Sequence, residues 1–143
     1  MTGLDRDGEI MKLETITTDK APAAVGPYSQ AIRAGGFVFI SGQLGINPET
    51  GELEQGLEAQ AERALENLGA VLAAAGTDYD NVVKTTCFLT DMAHFSAFNA
   101  IYARYFKGKP ARSCVAVAEL PKGGLVELEA IAVARADTAS EAH

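Results

Sequence analysis

The 143-residue sequence contains no tryptophan, two histidines and two cysteines, and each scarcity closes off a class of chemistry. His94 and His143 are the only histidines, and no His, Cys and carboxylate set stands at metal-ligand spacing, so neither a resident metal nor a Ser-His-Asp triad is expected. Cys87 and Cys114 sit inside apolar stretches and form no C-x-x-C pair. That excludes a disulfide framework and fits a reducing, cytoplasmic setting. No apolar run reaches eighteen residues and no basic-then-apolar leader opens the chain, so neither a membrane span nor a secretory signal is expected. The glycine spacings of the common nucleotide-phosphate loops are missing as well. Basic residues are few: 12 Lys and Arg against 19 Asp and Glu leave a net charge of −7. No Lys/Arg cluster offsets it, so a nucleic-acid partner is not expected.

What remains is ordinary globular composition, 48% hydrophobic and 22% charged, at the length of one domain. Residues 1–10 are polar and aperiodic and are expected to be a disordered leader. Residues 11–136 form the domain, and 137–143 read as a loose tail. Residues 12–16 suit a short strand, and strand-like runs flank Ala34-Gly35-Gly36 as in a hairpin. In 57–76, Leu57, Ala61, Ala64, Leu65, Leu68, Val71, Leu72 and Ala75 recur at helical steps. Glu58, Glu62, Arg63, Glu66 and Asn67 fall elsewhere, and Gly76 supplies the stop. A strand over 82–90 follows, then a second helix over 92–106 with Met92, Phe95, Phe98, Tyr102, Tyr105 and Phe106 along one stripe. Strands 112–120 and 125–135 close the chain around Pro121-Lys122-Gly123-Gly124. The order βββαβαββ predicts an α+β fold, one mixed sheet with two helices on one face. Strands 82–90 and 125–135 are apolar on both faces, so the other sheet face is expected to be buried against a further subunit.

Polar residues placed where the pattern wants apolar ones are the candidate site. Asn99 projects from the apolar stripe of the second helix, which suits a loop anchor or, less simply, a ligand contact. Glu127 and Glu129 share a strand face with Leu125, Ile131 and Val133. A carboxyl buried there without a partner would be tuned for proton transfer, and a salt-bridged strand edge accounts for the pattern equally well. Arg112 opens a strand after Pro110-Ala111 and could grip a carboxylate bidentately, although an arginine at a strand start ordinarily lies in solvent. Cys114 shares its strand face with Arg112. With no histidine nearby in sequence to activate the thiol, it reads as a small core residue. Tyr28 after Gly26-Pro27 and Ser41 before Gly42 stand at element ends, where ligands are commonly met.

Taken together, the blocks APAAVGPYSQAI (21–32), ISGQLGINPETGEL (40–53), VVKTTCFLTDM (82–92), FNAIYARYF (98–106), PARSCVAVAELPKGG (110–124) and VELEAIAVAR (126–135) resemble the RidA family, also called the YjgF family, from about Met11 to Arg135. The resemblance implies a chorismate-mutase-like homotrimer with a barrel-like core and pockets between subunits. It also implies hydrolysis of 2-iminopropanoate and 2-iminobutanoate to 2-keto acids and ammonia, with no cofactor. By the same resemblance Arg112 matches the carboxylate-binding arginine and Glu127 the acid that positions water. Glu129 becomes structural, and Tyr28, Ser41, Asn99 and Cys114 match the pocket lining, the last through its backbone. Lys109 stands where many members have an aromatic residue, and the loop Lys107-Gly108-Lys109 is short, so the pocket rim differs. Two alternatives carry less weight. One is a small-carboxylate binding protein without chemistry. The other is RNA cleavage or translation inhibition, which the −7 charge disfavours. A holdase-type chaperone role is compatible with the sequence but rests on no particular residue.

Overall fold

The computed structural model describes residues 2–4 and 10–134, with side chains from residue 12 onward. In chain order the elements are β1 (Thr2–Leu4), β2 (Ile10–Ile16), β3 (Ala31–Ala34), β4 (Phe37–Leu44), α1 (Leu57–Ala74), β5 (Val82–Leu89), α2 (Phe95–Tyr105), β6 (Ala111–Ala116) and β7 (Val126–Val133). They form the expected single mixed sheet with two helices. The strand order is β1-β2-β3-β4-β7-β5-β6, and β5–β6 is the parallel pair. Of the expected leader, the backbone of Thr2–Leu4 pairs with Ile10–Lys12. Residues 1 and 5–9, Arg135 and the expected tail lie outside the described residues.

Alternation decides which face is covered. Val126, Leu128, Ala130 and Ala132 of β7 are buried with Thr85, Cys87 and Leu89 of β5, beneath the α1 residues Ala61, Ala64, Leu65, Leu68, Val71 and Leu72. α1 lies over β4 and β7 and packs against α2. Gly69 makes room within α1 for Tyr79, whose hydroxyl donates to the Leu65 carbonyl at 2.7 Å. Among the described residues, no helix lies on the opposite face. There Phe37 (45%), Phe39 (45%), Val115 (46%) and Val133 (40%) keep large fractions of their surface exposed. This is the face that the two-sided apolar pattern expected another subunit to cover.

Four expectations need correction. Asn67 is not on the solvent side of α1. It is 1% exposed and its Nδ2 donates to the carbonyls of Leu44 (3.0 Å) and Ile46 (2.8 Å). Asparagine on an apolar stripe is indistinguishable in sequence from one beside it when the partner is a distant backbone carbonyl. The second helix begins at Phe95 rather than 92, because the Asp91 carboxylate accepts from Ala93 N at 2.9 Å and closes a separate 3₁₀ turn over Met92–His94. It ends at Tyr105, before a loop in which Lys109 takes a positive φ of 55°. β6 stops at Ala116 rather than 120, after which the chain turns into a 3₁₀ segment at Pro121–Gly123.

Candidate active site

A bulge in β4 shapes the first half of the site. Ile40 pairs with Ala130 and Gln43 with Leu128, so Ser41 and Gly42 together oppose Glu129. Such a bulge redirects the strand and re-aims its neighbours. Beside it lies a cleft of about 770 Å³, whose lining includes Tyr28, Ser41, Gly42, Glu127 and Glu129 with apolar walls from Pro22, Val25, Leu44 and Ile46. Ser41 Oγ donates to the Ser29 carbonyl at 2.6 Å, and Ser41 N donates to the Gln30 carbonyl at 3.0 Å. The serine therefore ties the loop carrying Tyr28 to β4. Tyr28 itself is 54% exposed at the mouth.

Gln30, which sequence reasoning passed over, organises that loop. Buried at 4%, it accepts from Thr18 N at 2.7 Å and donates to the carbonyls of Thr18 (3.0 Å) and Pro22 (2.8 Å). Gln60 plays the same part in the first turn of α1, accepting from Leu125 N at 2.8 Å and donating to the Glu54 carbonyl at 3.1 Å. Both glutamines satisfy backbone groups that the loops would otherwise leave unpaired in the interior. Their partners are remote in sequence or sit in irregular chain, so no periodicity marks them.

Glu127 lies against Gly42: a Cβ on that glycine would stand 2.6 Å from Glu127 Oε2. Half-burial and, after it, the like charge of Glu129 push the Glu127 carboxyl above its ordinary value. No hydrogen bond or ion pair holds it among the described residues. It is a carboxyl with its proton affinity raised, facing a cleft.

The other candidates lie on the opposite face of the same sheet. Arg112 pairs in register with the buried Thr85, and Cys114 with Cys87, whereas Glu127 pairs with Phe88. Arg112 therefore points toward α2. Its Nη1 donates to Asn99 Oδ1 at 2.7 Å, and its guanidinium carbon lies 4.7 Å from the Tyr102 ring centroid and 5.5 Å from that of Phe95. Among the described residues no carboxylate comes within ion-pair distance of it. Asn99 thus serves a side chain rather than a loop. Burial raises the thiols of Cys114 and of Cys87, the latter to about 12. Neither is prepared as a nucleophile. One chain therefore gathers Tyr28, Ser41 and Glu127 in one half-site and Arg112, Asn99 and Cys114 in another, and does not bring the two together. Among the described residues no His/Cys/Asp/Glu group could hold a metal, and no helix is long and apolar enough to cross a membrane.

A mixed sheet with two helices on one face, a carboxyl-bearing cleft at a β-bulge and an aromatic-bracketed arginine at the sheet edge define a small-molecule protein of the two-layer α+β class. The family model described as Endoribonuclease L-PSP matches residues 18–134, and the chain belongs to that family, the family of RidA and YjgF. It is 54% identical over 127 residues to the RutC family protein slr0709 of Synechocystis, covering 86% of this chain and 98% of that protein. It is 52% identical over 122 residues to the 2-iminobutanoate/2-iminopropanoate deaminase of Mus musculus, covering 84% and 90%. Among solved structures, E. coli TdcF with bound serine is similar with a TM-score of 0.82 at 42% identity, covering 85% of this chain and 99% of that one.

Proposed function

We propose that this protein hydrolyses reactive 2-imino acids to 2-keto acids and ammonia, in sites completed between copies of a cytoplasmic homotrimer. The observation that carries this reading is the state of Arg112. Its guanidinium is fixed by Asn99 and two aromatic rings, yet it carries no carboxylate partner among the described residues. That is a clamp prepared for an incoming anion, and a planar fork grips a carboxylate bidentately. The deaminase name of the murine relative supplies the substrate class.

In this reading the substrate carboxylate docks on Arg112 of one copy, at the cleft of its neighbour, where Glu127 faces the C=N carbon. Water adds across the C=N bond to give a carbinolamine. That intermediate expels ammonia, leaving the ketone. Glu127 takes a proton from the attacking water and passes it to the imine nitrogen to give the carbinolamine, then carries the carbinolamine hydroxyl proton to the departing nitrogen, a role suited to a carboxyl whose pKa is raised above its ordinary value. Tyr28 and Ser41 shape the mouth, and Cys114 lines the pocket. No cofactor enters these steps. A second copy is needed because Arg112 and Glu127 point to opposite faces of one sheet, and the open face bearing Phe37 and Phe39 provides an apolar surface for assembly.

The test is release of keto acid from an imine generated in situ by an amino-acid oxidase. Arg112→Ala is expected to lower kcat/KM by about 10²- to 10⁴-fold, chiefly through KM, the range that follows from about 3–5 kcal/mol for a broken buried pair. Co-refolding Arg112→Ala with Glu127→Gln chains should recover part of the activity, since mixed interfaces regenerate intact sites. A wild-type kcat/KM in Arg112→Ala would remove the arginine from the site, and absence of recovery in the mixture would remove the intersubunit arrangement.

A further inference from the structure

We infer that Tyr102, pinned by Thr85, is a positioning residue for the Arg112 guanidinium; this rests on Arg112 being the carboxylate clamp. An arginine side chain at a strand edge loses considerable rotamer freedom when ordered, so a clamp works only if its surroundings fix it before substrate arrives. Asn99 fixes one nitrogen. The plane of the guanidinium is set by the rings it lies on, and the nearer is Tyr102, with Arg112 Cζ 4.7 Å from its centroid.

That ring is held on several sides. Its hydroxyl shares a 2.7 Å hydrogen bond with Thr85 Oγ1 in the buried layer between α2 and the sheet. Its ring packs against Phe106 at 4.6 Å and Phe98 at 5.7 Å between centroids. Thr85 is the register partner of Arg112 on the adjacent strand. The strand position that lies beside the arginine thus also anchors the tyrosine covering it, and α2 cannot slide or tilt without breaking that bond.

Core packing does not account for the two hydroxyls. Thr85 is fully buried and Tyr102 is 7% exposed among Leu89, Phe98 and Phe106, where a Phe and Val pair would fill similar volume without desolvating polar groups. A buried hydroxyl pair contributes little net stability, and removing one partner leaves the other costly. What the pair supplies is direction: it references the aromatic platform, and through it the guanidinium, to the sheet.

The experiment measures kcat and KM for an imino acid in Tyr102→Phe, Thr85→Val and Thr85→Ser, each with thermal unfolding, and repeats Tyr102→Phe in an Arg112→Ala background. Loosening a group that holds the carboxylate equally in ground and transition states raises KM while sparing kcat. Tyr102→Phe and Thr85→Val should therefore raise KM by about three- to tenfold, in the range of one cation–π contact, with kcat within about twofold. Thr85→Ser, which keeps the hydroxyl, should restore KM. In the Arg112→Ala background Tyr102→Phe should cost no further kcat/KM, since contacts acting through one residue are not additive. Unchanged KM in both Tyr102→Phe and Thr85→Val, alongside a strongly impaired Arg112→Ala, overturns this inference alone. So does a Tyr102→Phe loss that multiplies with Arg112→Ala. If Arg112→Ala is itself unimpaired, the clamp reading fails, and this inference with it. If Tyr102→Phe does not fold, the Thr85→Val and Thr85→Ser pair decides.

Discussion

The Glu127 carboxylate rests on the backbone of Gly42, so closely that a methyl group on that glycine would stand 2.6 Å from Oε2 and 2.8 Å from Cδ. The contact joins the β4 bulge to the β7 acid, and it makes glycine a requirement at 42 through space rather than through φ. A side chain there would have to push the carboxylate away. Gly42→Ala is expected to lower deaminase turnover by about 10- to 100-fold, because displacing a reacting group by about 1 Å costs on that order. Thermal unfolding should change little, since the cleft side yields more easily than the core. Wild-type turnover in Gly42→Ala would show that the Glu127 position does not matter.

The open sheet face makes its own prediction. Phe37 and Phe39 stand with ring centroids 6.5 Å apart on the side that no helix among the described residues covers. Phe39→Glu places a charge in the centre of that patch, and burying an unpaired charge is prohibitive. Sedimentation analysis should find the variant monomeric with native circular dichroism, and its deaminase activity lost. A variant that sediments as the wild type does, with activity intact, would show that the face is not the interface.

Asn67 should be worth more to stability than its polarity suggests. Its amide closes two backbone carbonyls, those of Leu44 and Ile46, beneath α1. Asn67→Ala leaves both unpaired in the interior and is expected to cost about 1–3 kcal/mol in urea unfolding. Asn67→Leu should be no better, because the carbonyls stay unsatisfied. A cost under about 0.5 kcal/mol, the size of an ordinary surface change, would contradict the buried role.

Alkaline pH should destabilise the fold. Burial pushes Cys87 from an ordinary value of 9.0 up to about 12, and Tyr79 from 10.0 up to about 12. Above pH 9 the unfolded chain therefore sheds protons that the folded chain retains, and stability falls as pH rises toward 12. Below pH 9 these groups are protonated in both states and contribute no slope. Urea midpoints measured between pH 7 and 11 should stay level and then decline, and Tyr79→Phe should flatten the decline above pH 10. By the same reasoning Cys87 should resist alkylation at pH 8 in the folded protein and react once it is unfolded. A midpoint that is independent of pH up to 11 would contradict both shifts.

How much of this was legible depends on the range of the interaction. The sheet, the two helices and their order followed from periodicity and turn residues, since Leu65, Leu68 and Leu72 or Val126, Leu128 and Ala130 report their own face through spacing alone. Helix and strand ends were less visible: Asp91 starting a separate turn before α2 is a local competition between cap and helix that periodicity does not weigh. Parity alone puts Glu127 and Glu129 on one strand face, and their register against β5 is consistent with it. Gly42, Gln30 and Gln60 carry no local signature, because each acts on atoms brought near by folding.

By itself, then, the sequence determined the fold class, the apolar face without a covering helix and the strand parities. These depend on hydrophobicity and on the two- and 3.6-residue periods of the chain. Tertiary structure alone decided the partners: Asn99 for Arg112 rather than for a loop, Tyr102 and Phe95 for its guanidinium, and Gly42 for Glu127. It alone set Arg112 and Glu127 on opposite faces, because the side on which an edge-strand residue emerges depends on register with β5, and no local pattern in the six residues of β6 encodes that register.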